Sequence, residues 1–283
     1  FYQKTVGSKA STPIEVVDMG LRGFTRKIGI LKDYNANFQC GQCHNAANRY
    51  LTYKWLKDDK PVRPEDLQKA GVSPYATEFF KDPLESWAWF KAKGWHQGVN
   101  GTTGVHYVNG SDHPHVEIML QSKHGQAGVT CTDCHFARKA DGKAEHQPSL
   151  VKLKVENTCM RSACHGPGSK SNWTDPGQAL YTIEAIQQEY RIRVQKMEMA
   201  AKDAQRIFMK LKAGEASLPQ EVKEKLETAY EKYLSARDWY LTDLSSGFHD
   251  PEGFNRTVSV VTWELRKTNA AAQGALKKTP VKQ

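Results

Sequence analysis

The most regular pattern of apolar and polar positions along the chain lies in its C-terminal third. Apolar residues recur there three and four positions apart, at Ile183, Ile186, Tyr190, Val194, Met197, Ala201, Ala204, Phe208 and Leu211. A second stripe with the same spacing comprises Val222, Leu226, Ala229, Tyr233, Ala236, Tyr240 and Leu244. This spacing places apolar side chains on one face of an α-helix. We therefore predict a long antiparallel helix hairpin over residues 177–265, whose regular apolar face also allows an oligomer contact.

Proline, glycine and polar residues predict where the elements begin and end. Asp175 followed by Pro176 is a typical helix start, since the carboxylate caps free amide groups and proline suits the first turn. Residues 1–36 are punctuated by glycine and proline, which predicts a lead-in of mixed loop and short helix. Residues 266–283 lack acidic side chains and carry several lysines. They are predicted to be a flexible basic tail.

The middle of the chain is richer in aromatic residues. Residues 45–59 are predicted to include a short helix. The aromatic residues that follow are Phe79, Phe80, Trp87, Trp89, Phe90 and Trp95. Such a stripe is typical of a hydrophobic core. A role in stacking nucleic-acid bases is not expected, because no basic platform accompanies it.

The six cysteines of the chain fall into three motifs, each followed directly by a histidine. The first is Cys40, Cys43 and His44, the second is Cys131, Cys134 and His135, and the third is Cys159, Cys164 and His165. The first two are CxxCH motifs, whose cysteines can reach the two vinyl groups of one haem while the histidine binds its iron. The third has two additional residues between the thiols, so a disulfide or half of a zinc site is the alternative for it.

These motifs predict three covalently attached c-type haems as the cofactors, with His44, His135 and His165 as the proximal iron ligands. Residues 37–176 are then a three-haem-binding domain, against which the aromatic stripe could also pack. The predicted fold class is mainly α: a multihaem cytochrome c with a haem-packed core, followed by the C-terminal helix hairpin.

Composition and charge also indicate the cellular compartment of the protein and a class of partner. The mean hydropathy of −0.66 is low for a chain of 283 residues, which fits a core that haem macrocycles complete. The formal net charge is +9. A basic surface could dock an acidic redox partner protein, but lysines that are simply solvated would explain the charge equally well. No apolar run approaches the length of a membrane span. Because c-type haems are attached outside the cytoplasmic membrane, we expect a periplasmic or otherwise extracytoplasmic protein that is processed or forms a piece of a longer one.

The order of motifs from about residue 38 to residue 256 resembles the multihaem superfamily of pentahaem cytochrome c nitrite reductases and octahaem hydroxylamine oxidoreductases. The matching segments are the first CxxCH motif, Thr52-Tyr53-Lys54-Trp55, Pro64-Glu65-Asp66-Leu67, His113-Pro114, His124-Gly125 before Cys131, His146, and Gly247-Phe248-His249. The resemblance covers the last three haem motifs of those enzymes. It implies that this chain corresponds to their C-terminal electron-transfer portion.

The resemblance also implies the distal iron ligands. His124 would serve the haem on Cys159 and Cys164, and His249 the haem on Cys131 and Cys134. His146 would bind a haem attached N-terminal to anything in this sequence, and the Cys40 haem would take its distal histidine from that same region. Another haem-bearing polypeptide or a missing N-terminal region would complete the arrangement. Alternatively, one of the chain's own histidines could bind the Cys40 haem, namely His146, His96 or His106.

In those enzymes the histidine that matches His113 lies in the active site, and Asp112 before it resembles the Asp-His pair of the hydroxylamine oxidoreductases. A carboxylate and an imidazole facing an open iron position could move protons; a simple turn at these residues is the alternative. Ala46 and Ala47 stand where the nitrite reductases place calcium and substrate ligands. We therefore expect no calcium site, which favours the hydroxylamine oxidoreductase branch or a non-catalytic relative.

Two functions remain open at this stage. The chain is expected to be the C-terminal part or a subunit of a hydroxylamine oxidoreductase-like or nitrite reductase-like enzyme that acts on small nitrogen compounds, with the catalytic haem outside this sequence. Alternatively, it is a non-catalytic electron-transfer cytochrome or a conduit with haems in contact across subunits. The resemblance to the hydroxylamine oxidoreductases also implies that a tyrosine of a neighbouring subunit could cross-link the catalytic haem. Tyr233 and Tyr240 lie in roughly the matching region, but both are on the apolar stripe, which favours core packing.

Overall fold

The computed structural model describes residues 14–21, 24–31, 37–41, 44, 55–63, 66, 69, 80–108, 113–136, 142–143 and 148–278. Its helices are α1 (Asn37–Gly41), α2 (Pro83–Ala92), α3 (His115–Gln121), α4 (Lys123–Gln126), α5 (Cys131–His135), α6 (Val155–Thr158), α7 (Pro176–Lys212), α8 (Gln220–Leu241) and α9 (Pro251–Lys278). A 3₁₀ helix, Pro148–Lys154, precedes α6. The mainly α fold predicted from the sequence is confirmed.

The described strands form antiparallel sheets of two or three strands, and β3 lies between β4 and β5 in the three-stranded sheet. Strand β1 (Ile14–Leu21) pairs with β2 (Phe24–Leu31), and the register runs from Ile14 opposite Leu31 to Leu21 opposite Phe24. The remaining strands are β3 (Leu56–Lys57), β4 (Lys60–Pro61), β5 (Trp95–His96), β6 (Gly98–Val99) and β7 (His106–Tyr107). The lead-in is therefore a β-hairpin over residues 14–31, and the prediction of mixed loop and short helix there was wrong. Residues 56–57 likewise form a strand rather than the end of the predicted helix.

The C-terminal region contains the predicted hairpin and a third long helix. Helix α7 begins where the sequence indicated, since Asp175 accepts a hydrogen bond from the amide of Gly177 and Pro176 occupies the first turn. Helix α8 runs back along α7, and α9 packs against both. Burial of the apolar stripe holds the three together: Met197, Leu226 and Val261 are almost completely buried.

Helix α9 corrects the prediction of a flexible tail from residue 266. The helix continues to Lys278, and Asn269 and Ala272 are buried against its neighbours. The side-chain amide of Asn269 donates to the carbonyl of Ala200 in α7 over 2.8 Å. The alanines of this segment favour a helix, and lysines at its end suit the negative end of the helix dipole. The helical region therefore extends well beyond residue 265.

The hydrophobic core joins the aromatic stripe to the long helices. The rings of Trp55 and Phe90 stack with centroids 4.1 Å apart, and Phe90 belongs to the same buried cluster as Tyr230 and Trp239 of α8. An ion pair also joins α2 to α8: Lys91 Nζ lies 2.6 Å from Glu231 Oε1. Among the described residues, no helix is both long and apolar enough to cross a membrane.

Candidate haem-binding site

The three cysteine motifs lie next to one another because polar contacts connect them. The side-chain oxygen of Asn37, in the helix of the first motif, accepts a hydrogen bond from the amide of Cys131 over 2.7 Å. Asp133 caps α5 by accepting from the amide of Thr130 over 2.8 Å. The same carboxylate binds Arg161 of the third motif over 3.2 Å. These contacts hold the attachment segments of all three motifs in one place.

The sulfur atoms lie in surroundings that suit an uncharged thioether. Burial, and then the neighbouring Cys40, raise the pKa of the Cys131 thiol to about 12. Burial, and then Cys159, raise the pKa of the Cys134 thiol to about 11. The environment therefore disfavours thiolates. Since the bond between a cysteine and a haem vinyl group leaves a neutral sulfur, the donor set fits covalent haem.

Two pairs of imidazoles have a centroid spacing that suits a shared iron. The ring centroids of His135 and His249 are 6.1 Å apart, and those of His165 and His124 are 6.0 Å apart. Two imidazoles that bind one metal through bonds of about 2 Å place their centroids about 6 Å apart. Each pair joins a motif histidine to the partner that the family resemblance implies, and the residues present fit an iron bound between them.

Burial keeps the imidazole of His124 in the form that can bind a metal. Burial lowers the pKa of His124, and a positive charge on His165 would lower it further. Only a neutral imidazole offers a lone pair to iron. The neutral form of His124 is therefore available at neutral pH.

The surroundings of His44 differ from those of the other two motif histidines. Two rings lie near it, with centroids 5.6 Å away for His113 and 5.1 Å away for His115. Burial lowers the pKa of His44, followed by the effect of His113. The ligand nitrogens of these three residues lie within 4.8 Å of one another. The predicted active-site histidine is thus a neighbour of the first haem motif.

The other candidates from the sequence lie elsewhere. His96 stacks on His106 at 4.4 Å, between strands β5 and β7, and its Nε2 lies 3.8 Å from Asp59 Oδ1. Cys43, Asp112 and His146 lie outside the described residues, as do Ala46 and Ala47. Tyr233 and Tyr240 are buried in the core, and the hydroxyl of Tyr233 donates to Glu198 over 2.9 Å. Packing accounts for both tyrosines.

Sequence reasoning assigned no role to His115 or Asp243. His115 begins α3 directly after Pro114, and burial lowers its pKa to about 4 although the carboxylate of Asp243 opposes that shift. Asp243 follows α8 and accepts a hydrogen bond from His249 Nδ1 over 2.8 Å. Burial alone would raise the pKa of Asp243, but His249 and Ser245 hold it below its usual value. Two histidines flanking Pro114 were the available signal for His115; the sequence gives no comparable signal for Asp243.

Comparisons with known proteins place the chain in a family and identify relatives. The model of the cytochrome c552 family matches residues 35–283. A cytochrome c-552 of Bacteroides thetaiotaomicron is 28% identical over 138 residues, which cover 44% of this chain and 22% of that protein. The cytochrome c nitrite reductase subunit NrfA of Nitratidesulfovibrio vulgaris is 23% identical over 223 residues, or 75% of this chain and 40% of that protein.

The fold is also similar to a solved structure. The cytochrome c nitrite reductase of Desulfovibrio desulfuricans, a catalytic subunit with two calcium sites, superposes with a TM-score of 0.56 and 18% identity over 85% of this chain and 48% of that chain. The chain therefore spans less than half the length of these relatives. Together the matches confirm the resemblance to the multihaem cytochrome c superfamily that includes the nitrite reductases.

Proposed function

Because this chain belongs to the cytochrome c552 family, we propose that it carries electrons through three covalent c-type haems. The attachment sites are Cys40 with Cys43, Cys131 with Cys134, and Cys159 with Cys164. The observation that carries the proposal is the close pair of imidazoles at two of the three motifs, with centroids 6.0 and 6.1 Å apart. Haem iron, when bound, exchanges one electron as it changes between its ferric and ferrous states.

The residues of this chain would give two of the irons two histidine ligands each. His135 and His249 would hold the iron of the second motif, and His165 and His124 that of the third. Two strong axial ligands leave no open position for a substrate, so these haems would transfer electrons only. The contacts among the three attachment segments would keep the haems close enough together to pass electrons along a row.

The haem on Cys40 and Cys43 is the place where the chain would meet a catalytic centre. We propose that the chain is the C-terminal part or a subunit of a nitrite reductase-like or hydroxylamine oxidoreductase-like enzyme, in which Asp112 and His113 face a catalytic haem held elsewhere. His146 would bind a haem of that other region. The similarity to NrfA over 75% of this chain supports the proposal. We further propose a periplasmic oligomer that exchanges electrons with a redox partner protein and lacks the calcium site of the nitrite reductases.

A non-catalytic electron carrier is the second candidate. The six cysteines are all used by the three motifs, so any catalytic haem would have to be attached to another sequence. In that case His113 would be a neighbour of the Cys40 haem without a substrate. The two candidates differ in whether the complete protein has an iron that accepts an exogenous ligand.

The deciding experiment uses the holoprotein from a host that attaches c-type haem. Its mass under denaturing conditions is expected to equal that of the chain with three covalent haems. A Cys159→Ser and Cys164→Ser double variant should lose one haem, whereas an unchanged haem count would contradict the third attachment site. Spectra of the complete native protein, with any other haem-bearing region or subunit present, are then recorded with nitrite, hydroxylamine and cyanide. A response is expected from the enzyme and none from a carrier whose haems are all fully ligated.

A further inference from the structure

The carboxylate of Asp243 lies completely buried between two histidines that belong to different haem sites. Its side chain has no exposed surface. Its Oδ1 atom accepts the 2.8 Å hydrogen bond from His249 Nδ1 and lies 4.0 Å from His115 Nε2. Its Oδ2 atom accepts a hydrogen bond from the Ser245 hydroxyl over 2.6 Å. The carboxylate is thus fixed in position, with one oxygen directed at both imidazoles.

The contact continues from His115 to the first haem motif. Nδ1 of His115 lies 3.4 Å from Nδ1 of His44. His115 therefore has one ring nitrogen near His44 and the other near Asp243. If the proton of a neutral His115 is on Nε2, its Nδ1 accepts the proton that His44 carries on Nδ1. Nε2 of His44 and Nε2 of His249 then remain for iron, because the partner of one ring nitrogen decides which nitrogen is metallated.

We propose that Asp243 is a positioning residue for two haems, orienting the distal ligand His249 directly and the proximal ligand His44 through His115. The proposal rests on the haem ligands assigned under the proposed function. It adds that one buried carboxylate sets the reduction potentials of the second and first haems together. The third haem is outside this network, since Nδ1 of its ligand His165 lies 3.0 Å from the neutral hydroxyl of Ser171.

The direction of the effect follows from electrostatics. A carboxylate that accepts the Nδ1 proton of an axial imidazole makes that imidazole a stronger donor to iron. The ferric state, which has one more positive charge than the ferrous state, is then stabilised. Burial strengthens the effect because little water screens the charge. Asp243 therefore lowers the potential of the haem at Cys131 most and that of the haem at Cys40 less.

The test is a redox titration of the Asp243→Asn holoprotein, monitored by the ferric electron paramagnetic resonance signals. Asparagine keeps an acceptor oxygen for His249 but removes the charge. Signals lost in His249→Met and His124→Met variants identify the second and third haems. The equilibrium constant for reducing the second haem is expected to rise about tenfold, or about 59 mV for one electron. The first haem should show a smaller rise, and the third should not change.

Two variants keep the inference falsifiable if Asp243→Asn does not accumulate. Asp243→Glu keeps the charge and should retain the low potentials. His115→Phe should raise the potential of the first haem alone. Glu231→Gln, which removes another buried carboxylate at the Lys91 ion pair, is the control and should shift no haem.

Each unfavourable result has a separate meaning. A wild-type protein without three haems would overturn the proposed function itself. Three haems whose potentials do not respond to Asp243→Asn would overturn only the inference about Asp243. An equal shift of all three haems would also overturn it, because that pattern indicates a general loss of packing.

Discussion

Gly247 passes so close to the ring of Tyr190 that a Cβ atom there would lie 2.8 Å from Tyr190 Cδ2. Gly247 also has a φ of +81°, a backbone conformation that residues other than glycine rarely adopt. Tyr190 cannot easily move away, since its hydroxyl donates to the carbonyl of Tyr240 over 2.5 Å. The segment that presents His249 is therefore held against helix α7 by a glycine.

This relationship predicts different effects for two Gly→Ala substitutions. Gly214 has a similar φ of +74°, but a Cβ atom added there would lie in open space. Gly214→Ala should therefore lower the free energy of unfolding only through backbone strain, by about 1 kcal/mol. Gly247→Ala adds a clash with a fixed ring and should lower the free energy of unfolding by about 1–3 kcal/mol more. Chemical denaturation of both variants measures the difference. Equal losses would contradict the close approach.

The His135–His249 pair predicts a specific loss of iron ligation. In His249→Ala, the haem on Cys131 and Cys134 should lose its distal ligand and become high-spin, while the haem on Cys159 and Cys164 stays low-spin. The covalent haem count should not change, because the cysteines are intact. Visible absorption and electron paramagnetic resonance of the ferric protein measure this. His106→Ala, at a histidine that stacks on His96, is the matched control and should leave every spectrum as in the wild type.

The ion pair between α2 and α8 predicts an asymmetry between its two partners. Glu231 is buried, with 4% of its side chain exposed, whereas 47% of the Lys91 side chain is exposed. Lys91→Ala leaves a carboxylate buried without its countercharge and should cost about 3 kcal/mol of stability. Glu231→Gln leaves a lysine that can reach water and should cost about 1 kcal/mol. Denaturant unfolding compares the two, and a larger loss for Glu231→Gln would contradict this account.

Tyr190 predicts a loss of stability at alkaline pH. Burial, and then the charge of Asp243, raise the pKa of Tyr190 to about 12, against about 10 in an unfolded chain. Because the folded pKa is the higher one, its contribution to stability is complete below pH 10 and is lost as the pH rises through about 12. Unfolding experiments between pH 9 and pH 12 measure this. Tyr190→Phe should show a weaker pH dependence than the wild type, and Tyr181→Phe, at an exposed tyrosine, should match the wild type.

The parts of the fold that follow from local pattern could be predicted. The start of α7 at Asp175 and Pro176 depends on capping chemistry within a few residues, and the stripes of α7 and α8 repeat over many turns. The hairpin over residues 14–31 was missed because Gly20 and Gly23 were interpreted as loop punctuation. The register in fact leaves only two residues between the strands, which is the spacing of a tight hairpin.

The extent of α9 was missed for a different reason. Its last three turns have few large apolar residues, so their sequence resembles a solvated tail. Burial of Asn269 and Ala272 against the preceding helices depends on partners that are distant in the sequence. Local composition does not report such packing. Here the tertiary contacts stabilise a helix in a segment whose composition is typical of a solvated tail.

The local part of the candidate site could be recognised from the sequence alone: three pairs of cysteines, each with a histidine directly after it. A motif of this kind needs no tertiary information, because its spacing matches a single haem. Helix packing, in contrast, was needed to place His115 between the first motif and Asp243 and to bring Asp243 into contact with His249. These residues come from α3, the end of α8 and the start of α9, and packing of the helices brings them together.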